Sequence, residues 1–500
     1  MNINIIGGGM AGLSCAIHLQ NSGHQVHIFE KNSKVGGKAN RIEKNGFKID
    51  MGPTLIIMPE VLEGIFRLTG RNMSDYIKLV KVDPGYRINF EDDKFFDMTT
   101  DKKKFEAQIA KFAPKRIPAF KRYLKDVENK FEYSKDAFIE RNFDSLTDMF
   151  DLGSLQSALK IKPWGRAFQH VYSYFKNDYL ATALSCQALY LGQTPMKTPA
   201  LYNLLAYLEF TYGIWFPMGG LHEIPKALAK LFGDMGGVIH LDSEVESIVV
   251  EGDEVKGLRL KNGSIELSDA VVSNRDLPAS FSNFVSEDKR PSVSNAKIDK
   301  WNYGCSCFMT YLGINKKVPG LFHHNLFVNK DIRVGSRQIF DEGRLSDDPL
   351  LYVCSPTKTD PSLAPEGKEV VYILAIVPNL SGQPKWPDDA KPYRKKILAR
   401  LKQSGVDIQD ADIELEETFT PNDFESVYGT RLGTAFGLAP DFFQSAAFRP
   451  TIRSKDLKGL YHVGASTHPG GGLPMVLTCG RLAAEAIEKD ADKARPKATV

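Results

Sequence analysis

The chain opens on two short β-type runs, Asn2-Ile3-Asn4-Ile5-Ile6 and Gln25 to Phe29. Between them Leu13, Ile17 and Leu19 suit a helix that Gly23 ends. Residues 83–100 carry Arg87-Ile88-Asn89-Phe90, an acidic turn and Phe95-Phe96-Asp97-Met98, the pattern of a β-hairpin. Between 101 and 215 the period changes: Phe120, Leu124, Val127 and Phe131 recur at helical spacing. β-type runs return at Phe308-Met309-Thr310-Tyr311-Leu312 and Val370-Val371-Tyr372-Ile373-Leu374. Near the end, Gly459-Leu460-Tyr461-His462-Val463-Gly464 reads as a turn and a short buried strand. An amphipathic helix follows to about Glu488, with Pro474 in its first turn, where the missing N–H costs little. The pattern predicts an α/β protein, α+β overall.

Composition narrows the class. The 500 residues make about three domain-sized units. A content of 42 % hydrophobic and 25 % charged residues is that of an ordinary globular chain. The 64 basic and 61 acidic side chains leave +3, too even a balance for a nucleic-acid-binding protein. Cys15, Cys186, Cys305, Cys307, Cys354 and Cys479 include no C-x-x-C pair and predict reduced thiols, with Cys305 and Cys307 on one face of a strand as core. His323-His324 and His462 stand isolated in sequence, so no metal is expected. There is no H-E-x-x-H, Walker A or G-x-S-x-G pattern. Met1 is followed by no basic and apolar leader, and the most apolar window, Leu201 to Met218, is broken by Asn203, Glu209 and Gly213. A cytoplasmic protein without a membrane span is expected.

Candidate chemistry begins directly behind the first strand. Gly7-Gly8-Gly9-Met10-Ala11-Gly12 satisfies G-x-G-x-x-G. Gly7 permits the tight turn, Gly9 lets the backbone approach a pyrophosphate, and Gly12 lets the helix pack closely on the strand. The helix start supplies free N–H groups and a positive dipole end for phosphates. Glu30 ends the second strand 18 residues after Gly12, where a carboxylate accepts from adenosine ribose hydroxyls and disfavours a 2′-phosphate. Together these predict a Rossmann-like dinucleotide site.

The next segment, Glu30-Lys31 through Val35 to Gly36-Gly37-Lys38, resembles the second FAD signature of the glutathione-reductase-like flavoproteins, in particular their amine-oxidase branch. The resemblance implies that the doublet passes the flavin-side phosphates and that Lys38 adds positive charge there. Many amine oxidases carry arginine at that place, so their bidentate phosphate contact does not carry over. Asp50-Met51-Gly52-Pro53-Thr54 resembles the D-x-G-P stretch that such proteins place beside the isoalloxazine ring. Gly464-Ala465-Ser466-Thr467-His468-Pro469-Gly470-Gly471-Gly472-Leu473-Pro474-Met475 resembles the closing FAD motif of the bacterial and fungal phytoene-type carotenoid desaturases. It implies flavin contacts from Gly464, Gly472, Leu473, Pro474 and Met475, a helix start facing the flavin pyrimidine, and His468 beside the ring. Asp360-Pro361-Ser362-Leu363-Ala364-Pro365-Glu366-Gly367, Trp215-Phe216-Pro217-Met218-Gly219-Gly220 and Phe448-Arg449-Pro450 resemble blocks of the same enzymes, and Val245 falls where their main chain holds the adenine. The likeness runs from residue 2 to 489.

The resemblance implies a discontinuous FAD-binding domain over 1–78, 216–282 and 440–490. A mostly antiparallel substrate-binding domain is expected over 79–100 and 283–439, a helical, membrane-facing region over 101–215, and a flexible tail over 491–500. Lys102 to Lys125 holds nine Lys/Arg against Glu106 alone, interleaved with Phe105, Ile109, Phe112, Ile117 and Phe120. That mixture suits peripheral contact with the inner, anionic face of a membrane, from which a carotenoid is drawn. Ala200 to Phe216 is a candidate wall for an apolar tunnel. The implied activity is an FAD-dependent oxidoreductase acting on CH–CH donors: a carotenoid desaturase with oxygen or a quinone as electron acceptor and no assigned protein base. The Gly471-Gly472-Leu473-Pro474-Met475 wording leans towards 3,4-desaturation of a hydroxylated or methoxylated carotenoid. Phytoene desaturation, an FAD amine or porphyrinogen oxidase, and a prenyl-binding escort protein are the alternatives.

Overall fold

The computed structural model describes residues 1–149, 152–161 and 165–494. Five parallel strands form one sheet in the order Leu460–His462, Ala270–Ser273, Asn2–Ile6, Gln25–Phe29, Val238–His240. Ala270–Ser273 is buried at every residue, as a central parallel strand covered on both faces must be. Ile3, Ile5, Val26, Ile28 and Val272 pack on the helices Met10–Asn21, Glu223–Asp234 and Leu473–Ala494. Ile6, Phe29, Val271 and Leu460 pack instead on Val245, Ile248, Leu258 and Leu260 of a three-stranded antiparallel sheet. The period-two alternation of the strands thus builds a three-layer unit.

The second large sheet has seven strands in the order Ile413–Phe419, Ser306–Ile314, Glu369–Val377, Leu351–Cys354, His324–Phe327, Tyr86–Asn89, Phe95–Met98. It is a mixed sheet: every pairing is antiparallel except His324–Phe327 with Tyr86–Asn89. One face carries Phe308, Leu312, Val353 and Ile373 against Tyr393, Ile397 and Leu401 of the helix Ala390–Gln403. The other carries Cys307, Met309, Tyr311, Tyr352, Cys354 and Tyr372 into a core shared with helices from the 101–215 region.

That sharing corrects one expectation. Phe105, Ile109 and Phe120 are buried in this core, and Phe112 and Ile117 pack against it. The apolar residues among the lysines therefore point inward, because the helices Lys102–Phe112 and Ile117–Ser134 need their apolar stripe to cover the sheet. All nine basic side chains are exposed. Ala200 to Phe216 forms a short turn, a helix and a strand whose Leu204 and Leu208 pack with Met58 and Phe131. Among the described residues no helix is long and apolar enough to cross a membrane.

The C-terminal helix also outruns its expected end. It continues to Ala494, so residues 491–494 are helical, not a loose tail. Asp490 anchors it by accepting from Arg453 Nε at 2.7 Å and Tyr461 Oη at 2.9 Å. Residues 495–500 of the expected tail lie outside the described residues. The six cysteines are all free and buried.

One buried polar cluster gives a pH prediction. Glu209 Oε2 accepts from Tyr86 Oη at 2.6 Å and Gln187 Nε2 at 3.0 Å. Burial pushes its carboxyl up to about 7. A carboxyl raised in the folded state contributes stability that is complete below its unfolded pKa and is lost as pH rises through the folded one. From the ordinary 4.5 to about 7 that loss amounts to about 3 kcal/mol. Glu209→Gln should flatten the fall of Tm between these pH values and raise Tm above neutrality. An unchanged Tm–pH curve would show the carboxyl to be ionised in the native protein.

Candidate flavin site

Strand Asn2–Ile6 delivers the chain to the glycine turn, where Gly7 N–H donates to the Phe29 carbonyl at 2.8 Å. Gly9 is the N-cap of helix Met10–Asn21 and offers no side-chain cap, so the first N–H groups need an outside acceptor. Gly12 can only be glycine. A Cβ there would lie 2.5 Å from the Gly7 carbonyl oxygen and 2.9 Å from Asn274 Nδ2. The glycine doublet folds onto this turn: Gly36 N–H donates to the Gly8 carbonyl at 2.9 Å, and Gly9 and Gly36 form a β-bridge. Glu30 is 4 % exposed. Its Oε2 accepts from Gly8 N–H at 2.8 Å, and its Oε1 accepts from the Asn32 main chain at 3.0 Å and side chain at 2.7 Å. Oε1 thus has both of its lone pairs engaged, and Oε2 keeps one for a ribose hydroxyl.

The lysines are placed differently. Lys31 Nζ donates to the Val427 carbonyl at 2.7 Å, and Lys38 Nζ donates to the Ala435 carbonyl at 2.8 Å. Burial holds the Lys38 ammonium below its usual pKa range. Here Lys38 ties the doublet to the segment before the closing motif.

Asp50 to Thr54 is clamped from the seven-stranded sheet. Tyr311 Oη donates to the Met51 carbonyl at 2.6 Å, and Tyr372 Oη to the Gly52 carbonyl at 3.0 Å. Thr54 Oγ1 and Tyr352 Oη are hydrogen-bonded at 2.5 Å. Asp50 accepts from the main-chain N–H of Leu221 at 2.5 Å and of His222 at 3.2 Å, and burial raises its pKa. Arg41, buried, bonds Glu223 at 2.9 Å and the Gly219 carbonyl, while Gly219 N–H donates to Asp360 at 2.6 Å. The two interior blocks around Gly219 and Asp360, remote in sequence, therefore meet beside the Asp50 segment.

In the closing segment, Arg449 donates to the carbonyls of Gln444 at 3.0 Å, Ala465 at 2.5 Å, and Thr467 and Leu438, each at 3.3 Å. It fixes the path of 465–472 into the helix that starts at Leu473 with Pro474 second and Met475 third. Val476 N–H returns to the Gly472 carbonyl at 2.9 Å. His468 Nε2 donates to the Arg141 carbonyl at 3.0 Å, its ring stands edge-on to Phe143, and burial lowers its pKa to about 4. It is a neutral packing residue here. Val245 is buried opposite Leu260, two residues beyond Ser243, whose N–H donates to the Glu30 carbonyl at 2.8 Å.

One residue that sequence reasoning missed joins the two ends of the chain. Asn274 Nδ2 donates to the Gly7 carbonyl at 3.2 Å. A Cβ on Gly9 would sit 2.7 Å from that nitrogen, and one on Gly464 3.5 Å from Asn274 Oδ1. The only sequence signal is an amide directly after the apolar strand Ala270–Ser273. Asp276, two residues on, accepts from Ser466 Oγ at 2.7 Å and so holds the closing loop.

The profile of the family described as flavin containing amine oxidoreductase matches residues 10–488. The chain belongs to that family. FAD is its cofactor, and it is an FAD-dependent oxidoreductase. Within this flavin oxidoreductase family it is 36 % identical to the zeta-carotene-forming phytoene desaturase of Myxococcus xanthus, across 97 % of this chain and 93 % of that one. It is also 36 % identical to the 4,4′-diapophytoene desaturase (4,4′-diaponeurosporene-forming) of Staphylococcus aureus, across 99 % and 100 %. These relatives place it in the carotenoid desaturase group of the family. An oxidoreductase from Methanosarcina mazei shares the fold with a TM-score of 0.67 at 17 % identity, covering 98 % of this chain and 100 % of its own. A putative protoporphyrinogen oxidase from Exiguobacterium does so at 0.62 and 14 %, covering 98 % and 99 %. The donor set fits the cofactor: an uncapped helix start, two interlocked glycine turns and a buried carboxylate suit a pyrophosphate and a ribose diol.

Proposed function

We propose that this chain is an FAD-dependent carotenoid desaturase that extends the conjugation of a long acyclic polyene. The observation that carries the reading is the 36 % identity to the Myxococcus xanthus phytoene desaturase along 97 % of the chain. When bound, the flavin supplies the chemistry by accepting a hydride from an allylic C–H while a proton leaves the adjacent carbon.

The chain's own residues bind and align. Gly7 to Gly12, with Met10 and Ala11 at the helix start, would take the pyrophosphate. Glu30 would take the ribose, Val245 the adenine through its main chain, and Gly36 and Gly37 the flavin-side phosphates. Gly52, Pro53 and Thr54 would face the ring, with Gly464 and Gly472 to Met475 closing the other side. The start of helix Leu473–Ala494 would direct its dipole at the place where reduced-flavin charge develops. Tyr311, Tyr352 and Tyr372 fix Met51, Gly52 and Thr54 against the sheet, so ring and polyene would meet on a rigid wall.

Lys31 and Lys38, whose ammonium groups are held by Val427 and Ala435, would contribute by positioning their segments. The exposed basic face of 102–125 would hold the protein peripherally on an anionic membrane surface, where the polyene resides, and oxygen or a quinone would reoxidise the flavin. Domain limits follow the same reading: an FAD domain from 1–78, 216–282 and 440–490, and a substrate domain from 79–100 and 283–439. The Gly471-to-Met475 wording favours a hydroxylated end group and 3,4-desaturation.

The test is incubation of FAD-loaded protein with liposomal phytoene, 4,4′-diapophytoene and a 1′-hydroxy carotenoid, with product spectra as readout. A red-shifted polyene spectrum supports desaturation, and the substrate that yields it assigns the end group. Turnover of amines or porphyrinogens with none of the three would overturn the reading. Glu30→Ala should weaken FAD binding by about 1.5–3 kcal/mol, roughly 10- to 150-fold, through loss of a charged acceptor. Glu30→Gln should lose less, since an amide oxygen still accepts from Gly8 N–H. FAD titration of the apoprotein reads both.

A further inference from the structure

His323 and His324, isolated in sequence, are not isolated in space. Strands His324–Phe327 and Leu351–Cys354 pair antiparallel with His324 directly opposite Cys354. One ring nitrogen from each of His323 and His324 and the Cys354 thiol lie within 4.8 Å of one another. The three residues are 4 %, 0 % and 2 % exposed. His323 Nδ1 is hydrogen-bonded to Thr359 Oγ1 at 2.6 Å and His324 Nδ1 to Tyr352 Oη at 2.7 Å. Both Nε2 atoms are buried with no protein partner. Cys354 forms no disulfide.

We propose that His323, His324 and Cys354 form a binding site for one zinc-class divalent cation. Two features argue against plain core packing. Buried polar atoms are normally satisfied, yet two imidazole nitrogens in adjacent residues are orphaned here. In addition, each imidazole has its Nδ1 held by a hydroxyl, Thr359 Oγ1 or Tyr352 Oη, which fixes the ring orientation as an outer partner would. Thiolate with imidazole suits zinc and excludes magnesium or calcium, which want oxygen ligands. Tetrahedral zinc separates such donors by about 3.3–3.8 Å, and the three donor atoms here already lie within 4.8 Å of one another. A small cavity lined by Asp50, Thr54, Phe216, Cys354 and Tyr372 borders Cys354, and a water held there would be the candidate fourth ligand. On binding, the Cys354 S–H proton is released to solvent and a Zn–S bond forms without redox change. The cation would pin the turn at His323 to the end of Leu351–Cys354, and through Tyr352 it would steady Thr54. The site stands whichever substrate the enzyme takes.

The experiment measures bound metal on FAD-loaded protein expressed with zinc or cobalt and dialysed against a mild chelator. About one metal per chain is expected, and the cobalt form should show a near-ultraviolet thiolate-to-cobalt band. Cys354→Ser should lose that band. Thr359→Val keeps all three ligands and should retain the band while weakening affinity about 10- to 100-fold. Normal FAD content and circular dichroism establish that each variant folds. Protein without bound metal, a cobalt spectrum lacking the thiolate band, or uptake undiminished in Cys354→Ser would each overturn the proposal.

Discussion

Gly52→Ala is expected to lower stability by about 3 kcal/mol and to strip the protein of FAD. A Cβ at this position would lie 1.9 Å from the Lys38 carbonyl oxygen and 2.8 Å from its carbon. No side-chain rearrangement relieves that contact, because both atoms are main chain. Neither segment is free to retreat. On one side Met51 N–H donates to the Asn40 carbonyl at 2.8 Å, and Gly36 N–H is bonded to Gly8. On the other, Tyr311 and Tyr372 hold the carbonyls of Met51 and Gly52. The strain must therefore spread into the glycine doublet or the 50–54 segment, and both are proposed flavin contacts. Gly64→Ala is the matching control. Nothing lies within 4 Å of its Cβ position inside helix Pro59–Leu68, so alanine there should stabilise by about 0.5–1 kcal/mol. Flavin-to-protein absorbance after gel filtration, with Tm, checks the pair. Normal FAD content in Gly52→Ala would show that the two segments can separate without cost to the site.

Much of the fold was legible where pattern and local chemistry agree. The first strand, glycine turn, helix and second strand stand where β-type runs and G-x-G-x-x-G put them, because each is decided within about 30 residues. The hairpin Tyr86–Asn89 with Phe95–Met98 and the long strands Ser306–Ile314 and Glu369–Val377 were equally readable. What stayed hidden depends on register between distant strands. Nothing near Asn274 in sequence says that it will lie between Gly7 and Gly464, since parallel order decides that. His324 meets Cys354 for the same reason, across a pairing that no spacing motif encodes.

The inward turn of the apolar residues between Lys102 and Lys125 was hidden for another reason. An amphipathic helix shows the same sequence whether its apolar stripe meets a membrane or a β-sheet. Phe105 and Phe120 turned out to be sheet-facing. Lys38 shows a complementary limit: a charge beside a phosphate-binding motif predicts a phosphate contact, but nothing in its sequence surroundings announces the Ala435 carbonyl to which it also donates.

That inward stripe sharpens the membrane prediction. With Phe105, Ile109 and Phe120 committed to the core, attachment through this face would rest almost entirely on charge. Lys102 to Lys125 carries nine basic residues minus Glu106, or +8. Each basic residue near an anionic surface is worth about 1 kcal/mol, and screening shortens the reach of that attraction from about 10 Å at 0.1 M salt to about 3 Å at 1 M. Reversing Lys115, Arg116, Lys121 and Arg122 to Glu leaves five basic against five acidic residues, a net of zero. The loss of attraction should be at least about 4 kcal/mol, roughly a thousand-fold in partitioning onto anionic vesicles. All four side chains are exposed, so FAD content and Tm should stay those of the parent. Turnover of liposomal polyene should fall with vesicle binding, while turnover of detergent-dispersed polyene should not. If vesicle binding instead ignores both salt and charge reversal, the face is simply solvated. The exposed aromatic cluster of Phe442, Phe443 and Phe448 then becomes the surface that meets the lipid.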